Sequence, residues 1–583
     1  MNEKKDIKVK INDHELAVSE GITILEAAHK VGVKIPTLCH LDLHDLKMVN
    51  KTASCRVCIV EVLGKNSLVP SCVTKVEDGM EIRTDSLRAI TARRMAVELL
   101  LSNHPNECFT CPKNLQCELQ SLAAELGIRE IKWKGERMDY LKDISSDAIV
   151  KDPNKCIYCR RCETMCNEVQ TCGILSGIGR GFNSFVGPAF NIPMIESSCT
   201  YCGQCVAVCP TAALTEINHT DKVWAALNDP EKYVVVQTAP AIRVAIGELF
   251  DLEPGTIVTG KLVSALKNMG FDQVFDTDFG ADLTIMEEAS ELIHRIKSEK
   301  TLPMLTSCCP AWVKFIEHQF PELLEIPSTC KSPHIMFGTI IKTYYAQKHN
   351  INPNNIVVVS VMPCIAKKAE AKRPELTKDE KNDVDIVITT RELGAMIKET
   401  GTEFENLPQS DYDRPMGETT GASVIFGTTG GVIEAAIRTA YEWITGEELE
   451  DVEFQQLRGI EGFRKATVNI GEKELRIGIA SGLGNARKLL EEIRDGKSQY
   501  DAIEIMACPG GCIAGGGQPY HHGNIDIIKK RQEAIYREDR NKTIRKSHEN
   551  KEVLKLYEEY LGEPYGDLAH ELLHTHYEKR ERI

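Results

Sequence analysis

The 583-residue chain lacks what several large classes of protein require. No apolar run approaches the ~18 residues of a membrane-spanning helix. The opening stretch, MNEKKDIKVKINDHEL, has no apolar core of the signal-peptide kind, so a secretory leader is not expected. Cationic side chains are in deficit: 70 Lys and Arg stand against 85 Asp and Glu, a net charge of −15. That balance argues against nucleic acid as the main partner, because phosphate binding needs a basic face. There is no dinucleotide-binding fingerprint and no evident flavin site. GTTGGV (427–432) is not a phosphate loop, since no Gly-Lys-Ser/Thr follows it. Low-complexity linkers are missing as well. What remains is a cytoplasmic chain of three to five domains, at about 100–200 residues per domain. If it uses a nicotinamide, another chain must bind it.

Cysteine is what the chain has in excess. Sixteen of 22 cysteines fall between Cys39 and Cys209, and six lie beyond. In a reducing compartment, clustered cysteines point to metal ligands rather than disulfides. The plainest signal is a duplicated C-x2-C-x2-C-x3-C. Cys156, Cys159, Cys162 and Cys166 form one copy, and Cys199, Cys202, Cys205 and Cys209, followed by Pro210, form the other. Such runs hold 4Fe–4S cubanes, and in two-cluster ferredoxins the fourth cysteine of each run serves the other cluster. The expected sets are therefore Cys156, Cys159, Cys162 with Cys209, and Cys199, Cys202, Cys205 with Cys166. Paired zinc sites fit less well, because zinc usually takes C-x2-C pairs separated by a longer gap.

Upstream, Cys39, Cys55, Cys58 and Cys72 follow a hairpin pattern (7–11 and 14–18) and a helix pattern with a Gly stop (24–32). The first gap is longer than in plant-type ferredoxins, but a β-rich ferredoxin-like domain with a 2Fe–2S cluster fits best; zinc remains the alternative. Residues 86–125 read as helical and contain His104, Cys108, Cys111 and Cys117. A lone histidine at a helix end is ordinarily a capping or solvated residue. Three thiolates close behind it need a fourth ligand, and a neutral imidazole would complete a 4Fe–4S site with one charge fewer and a higher potential. Residues 126–150 form a charged connector.

From about residue 225 the texture becomes α/β. Strand patterns occur at 233–240, 302–310, 355–364, 384–390, 475–482 and 500–511, alternating with helices, which implies mostly parallel sheets. The tail reads as helical and charged. Three strand ends carry cysteines: TSCCPAW (306–312), MPCIAKK (362–368) and MACPGGCIAGGGQP (506–519). Loops converge at the carboxyl ends of such strands, so Cys309, Cys364, Cys508 and Cys512 are four further candidate thiolates rather than inert buried cysteines.

These three motifs resemble the active-site signatures of FeFe-hydrogenases, and the resemblance covers essentially the whole chain. The front, to about residue 215, also resembles the cluster-bearing part of large NADH dehydrogenase and formate dehydrogenase subunits. The implied fold class is multidomain α+β and α/β. It comprises a 2Fe–2S ferredoxin-like domain (1–80), a helical domain with a one-histidine, three-cysteine 4Fe–4S site (81–125), a two-4Fe–4S ferredoxin-like domain (126–220) and a two-lobed H-cluster domain (221–583). The implied cofactors are one 2Fe–2S cluster, three accessory 4Fe–4S clusters and the H-cluster. The last is a cubane on Cys309, Cys364, Cys508 and Cys512, joined through Cys512 to a two-iron unit with CO, cyanide and an azadithiolate. The implied reaction is reversible reduction of protons to dihydrogen. By the same resemblance, protons pass along Cys308, Glu288, Ser328, Glu291 and Arg295 near the surface. Lys367 donates to a cyanide, and Met362, Met506 and Phe426 line the pocket.

On residues alone, Glu288 and Glu291 are three apart and share a helix face, which is more commonly a solvated one. Lys367 by itself reads as a surface lysine, and the two Met and Phe426 read as core. Cys172 and Cys330 have no assigned role. Ala311 stands where related single-chain enzymes tend to have Gly, and His334 where some have Gln. The Ala form leans toward subunits of NAD-linked multimeric hydrogenases. The expected setting is an electron-bifurcating complex with flavin- and NAD-binding partner subunits and ferredoxin. A stand-alone enzyme served by ferredoxin or flavodoxin competes with it. An iron–sulfur assembly protein and a hydrogen sensor are alternatives of a different class. Cys308, Lys367 and the acidic residues speak against the first of these. The second typically loses the relay cysteine or gains a sensory domain.

Overall fold

The computed structural model describes residues 6–43, 50, 53–298, 301–378, 381–471 and 473–581. The front sheet begins as the alternation predicts. Strands Asp6–Ile11 and His14–Ser19 pair antiparallel, because Ile7, Val9 and Ile11 share one face. Glu81–Arg83 adds parallel to the first strand, and Ile59–Val62 and Val69–Pro70 complete five strands. The helix Ile24–Lys30 covers their apolar face. Thr23 and Glu26 form a capping box at its start, so two otherwise orphaned N–H groups are satisfied reciprocally. It ends two residues before Gly32, which takes a left-handed φ of +72°.

The expected helical stretch 86–125 is interrupted. Helix Leu87–Asn103 stops at His104, whose backbone is extended, and the next α-helix is Glu118–Glu125. The intervening residues loop around three cysteines, with only a short 3-10 turn at Cys108–Thr110. The duplicated region is held by two small antiparallel pairs, Ile149–Lys151 with Leu214–Glu216 and Ser176–Ile178 with Phe185–Gly187.

The back half has two lobes, each on a four-stranded sheet. In the first, Gln273–Asp276, Tyr233–Thr238, Ile356–Met362 and Ile386–Thr389 lie side by side in that order and are all parallel. In the second, Met304–Leu305, Ala502–Met506 and Lys473–Ser481 are parallel, and Phe463–Ile470 returns antiparallel on the last. The strand predicted over 302–310 is only two residues long, because Pro310 opens the helix Pro310–Gln319. Gln273–Asp276 and Phe463–Ile470 lie outside every predicted strand. The first is four residues long and runs straight into helix Thr277–Ser298; the second alternates with charged residues on an exposed face. The tail is helical only to Leu573; His574 is extended, and residues 575–580 lie in no regular element.

Candidate active site and electron path

Four thiols of the front sheet domain converge. Cys58 and Cys72 have Sγ atoms 3.3 Å apart. Hydrogen bonds from Cys55 and Cys72 draw Cys39 far below its ordinary thiol value, and one from Cys72 draws Cys58 down to about 6. A mutually stabilised thiol–thiolate group is the donor set a cluster needs. His104 caps the helix Leu87–Asn103 through its N–H, and its buried Nδ1 has no partner among the described residues. Burial, then the cations Lys155 and Arg137, lower the imidazole to about 4, so it is neutral and able to ligate. Lys155 also lies 3.7 Å from Cys111 Sγ, which brings imidazole and thiol within reach of one cation.

The duplicated motif makes two like loops. Tyr158 donates its N–H to Cys156 Sγ, and Tyr201 donates to Cys199 Sγ, both at 3.4 Å. Both tyrosines adopt left-handed φ, 53° and 58°, which curls each loop around its sulfurs. Burial raises Cys156, Cys159, Cys162, Cys166, Cys199, Cys202 and Cys205, and neighbouring thiols add to it for most of them. Cys209 acts on Cys156, Cys159 and Cys162; Cys199 acts on Cys166, and Cys166 acts on Cys202 and Cys205. Cys205 also acts on Cys162, and Cys209 on Cys205, so all eight thiols share one neighbourhood. Cys172 lies near Cys202 and Cys166, with its Sγ 3.7 Å from Thr200 Oγ1.

The strand ends deliver the last quartet. Cys309 caps the helix Pro310–Gln319 and accepts the Ala507 N–H at 3.4 Å. Burial, then Cys309, lifts Cys364 to about 12, while burial, then Cys364 and Cys309, lifts Cys508. Cys202 also acts on Cys508, so this quartet adjoins the Cys199 set. Two glycines permit the approach. Gly511 has φ +99°, and a Cβ there would lie 2.6 Å from the Thr429 nitrogen. A Cβ on Gly516 would lie 2.7 Å from the Gly203 Cα, so the loop after Cys512 and the loop after Cys202 meet backbone to backbone. Four converging thiols, with the buried Lys367 as a nearby cation, fit a cluster that would take their charge.

Around this quartet, Phe426 and Met506 are buried in the same apolar cluster that Cys308 and Cys512 pack against, whereas Met362 belongs to the core of the first lobe. Lys367 is buried rather than on the surface. It donates to the Cys308 carbonyl at 3.0 Å and pairs with Glu370 at 2.8 Å, and Glu370 in turn meets His334 Nε2 at 2.7 Å. Glu370 was not singled out in the sequence; its spacing of three from Lys367 was the available signal.

The acidic residues lie on one buried face of helix Thr277–Ser298. Glu288 is 1% exposed, and neither of its oxygens has a hydrogen-bond partner among the described residues. Burial, then the charge of Glu291, raises it to about 8. Ser328 donates to Glu291 at 2.7 Å, and Arg295 donates to the other Glu291 oxygen at 2.5 Å. Arg295 corrects one expectation: it is buried, not near the surface, because its guanidinium also donates to the Ile326 and Pro327 carbonyls. The C-terminal segment, which sequence reading missed, closes over this end. His574 bridges Thr329 and Glu287, and Tyr577 donates to the Ser328 carbonyl at 2.5 Å. Cys330 Sγ lies 3.8 Å from Glu291.

Among the described residues, no helix is long and apolar enough to cross a membrane. Residues 232–516 match the iron-only hydrogenase large subunit, C-terminal domain, and residues 525–580 match the iron hydrogenase small subunit. In the front, residues 4–86 match a 2Fe–2S cluster binding domain, 93–132 the iron–sulfur binding region of NADH-ubiquinone oxidoreductase-G, and 192–215 a 4Fe–4S binding domain. The NADP-reducing hydrogenase subunit HndD of Solidesulfovibrio fructosivorans is 55% identical over 99% of this chain and 100% of its own length. Iron hydrogenase 1 of Clostridium pasteurianum is 40% identical over 98% and 99%. Among solved structures, the apo FeFe-hydrogenase HydA1 of Chlamydomonas reinhardtii superposes with a TM-score of 0.56 at 44% identity, covering 62% of this chain and 99% of that one. The chain belongs to the iron-only (FeFe) hydrogenase family, as a large subunit with N-terminal iron–sulfur domains that carries out hydrogen chemistry at an H-cluster.

Proposed function

We propose that this chain is the hydrogen-converting subunit of a multi-subunit, NAD(P)-linked hydrogenase, with twenty side chains holding iron in five places. Cys309, Cys364, Cys508 and Cys512 would hold the cubane of the H-cluster. His104, Cys108, Cys111 and Cys117, the group of Cys39, Cys55, Cys58 and Cys72, and the two crossed sets would hold the accessory clusters. When bound, the H-cluster supplies a metal site and an adjacent base that together cleave or form hydrogen. The protein's part is to move protons, exclude water and carry electrons. The Cys308 thiol is pushed up by burial and then by the Glu288 charge, so it keeps its proton at neutrality and can pass it on. Glu288, raised to about 8, is suited to exchange that proton near physiological pH. The Ser328 hydroxyl orients Glu291, and Arg295 holds Glu291 from the far side. Lys367 is fixed by Glu370 next to Cys308, where its ammonium can donate to an anionic ligand of the cofactor.

The observation that carries the multi-subunit reading is the 55% identity, over the whole length of both chains, to a protein named as a hydrogenase subunit that reduces NADP. This chain has no nicotinamide or flavin fingerprint of its own, so partner chains would supply both. Ferredoxin as a second donor, electron bifurcation and a cytoplasmic setting complete the proposal. Anaerobic purification from the native cell through an untagged chain tests it. Co-purifying subunits, bound flavin and hydrogen-dependent reduction of NAD(P) are expected, with infrared bands of iron-bound CO and cyanide. A fully active chain that elutes alone, without flavin and without NAD(P) reduction, would refute the complex in favour of a stand-alone enzyme.

A further inference from the structure

Two buried cations sit where the front clusters meet. Arg161, next to the Cys159 and Cys162 pair, donates to Glu118 at 2.7 Å, and Glu118 also takes His522 at 2.7 Å. Its charge is therefore balanced inside the protein. Lys113 is not balanced in this way. It lies between Cys111 and Cys117 in the loop of the histidine-containing site and is only 1% exposed. Its ammonium donates to the backbone carbonyl of Cys209, in the next cluster set, and lies 3.8 Å from the centroid of the Tyr520 ring. No carboxylate lies within ion-pair distance of it among the described residues. A second cation, Arg391, sits 4.2 Å from the same ring and is itself paired with Glu216.

A buried ammonium with only a carbonyl and a π-face for company is unfavourable unless an anion nearby offsets its lost hydration. The negative groups that act on Lys113 are Cys209, then Glu118, then Cys117, and Glu118 is already paired with Arg161 and His522. An assembled cluster keeps that negative charge and gains one more on reduction. A fixed cation favours the reduced state, the one with the extra negative charge, and so raises the potential.

We infer that Lys113 is the potential-setting cation of the junction between the histidine-containing site and the Cys156, Cys159, Cys162 and Cys209 site. It raises the potential of the latter, so that electrons arriving from the front run downhill into the crossed pair. Lys113 is a positioning residue for electron flow, not a catalytic one. The inference rests on the ligand sets proposed above.

The test is a redox titration followed by low-temperature EPR on the assembled holoenzyme, comparing the parent with Lys113→Met, Lys113→Gln and Lys113→Arg, each with its iron counted. The two neutral variants should keep the parental iron and shift the midpoint of one accessory cluster to more negative potential. Lys113→Arg should titrate close to the parent. Unchanged midpoints in both neutral variants overturn the inference. So does an Arg variant that shifts as far as Met does, because packing rather than charge would then be responsible. Loss of iron from both neutral variants overturns it too, since the lysine would be needed to build the site rather than to set its potential. Failure of the ligand reading is distinguishable: the parental protein itself would then lack the iron and the EPR signal of that cluster.

Discussion

In the ferredoxin-like part, Cys156, Cys159 and Cys162 lie on one short loop, and a copy of that loop repeats them at Cys199, Cys202 and Cys205. In the catalytic part, Cys309, Cys364 and Cys508 come from the ends of three strands in two different sheets. The first arrangement is local: a left-handed tyrosine and a backbone N–H to sulfur curl each loop whatever the rest of the chain does. The second exists only when both lobes are closed. The surface differs in the same sense. Among the described residues the front carries 13 of the 17 large apolar side chains left in solvent, Phe109 and Phe190 at 98% exposure among them, while the lobes enclose their chemistry. The difference teaches that the wire is built from interchangeable local pieces, and the site it serves from long-range packing.

Changes in the enclosed site should therefore be severe, and changes in the local pieces confined. The largest effect is expected from Cys308→Ala, which removes the proposed proton donor without removing a proposed ligand. Turnover should fall at least ~10²-fold, the scale of positioned proton transfer, while the infrared bands of the cofactor persist. A variant that evolves hydrogen at the parental rate would eliminate Cys308 from the relay.

Next comes the pH dependence of Glu288. With its carboxyl raised to about 8, it keeps a proton below that value and is ionised above it. Hydrogen evolution fed through it should decline as pH rises through about 8. Glu288→Gln cannot release a proton, so its pH–rate profile should be low and without that decline; a parental profile in the Gln variant contradicts the assignment.

Gly516→Ala probes the seam between the two regions. Its Cβ would lie 2.7 Å from the Gly203 Cα, so backbone must shift, at about 1–3 kcal/mol for such overpacking. A lowered melting temperature is expected, with slower electron delivery from an external donor than from a small dye. Equal loss with both donors would show that the seam does not carry electrons.

The smallest effect on turnover is expected from His104→Ala. Only one accessory EPR signal should change, and dye-driven hydrogen evolution should stay near the parental rate. An unaltered EPR spectrum would remove the histidine from the ligand set.

Local pattern made the front readable: cysteine spacing pointed to iron–sulfur domains, and a two-residue alternation identified the first hairpin. In the back half the strands that carry cysteines were visible as apolar runs. Gln273–Asp276 was too short to stand out, and Phe463–Ile470 is half exposed and broken up by charge. Helicity was overestimated around Cys108, because apolar and charged residues there keep a helical look while the chain bends around its thiols.

From the sequence alone came the four front groups, the three cysteine-bearing strand ends and the helical spacing of Glu288 and Glu291, all consequences of residue type and short-range periodicity. Only the folded chain decided that Arg295 is buried, that Lys367 is pinned by Glu370, that the C-terminal His574 and Tyr577 reach Glu287 and the Ser328 carbonyl, and that Lys113 meets the Cys209 carbonyl with no carboxylate within ion-pair distance among the described residues. Each of these depends on which distant groups share a low-dielectric interior. Burial turns such neighbours into charge partners or leaves them without any, and spacing along the chain does not by itself decide which.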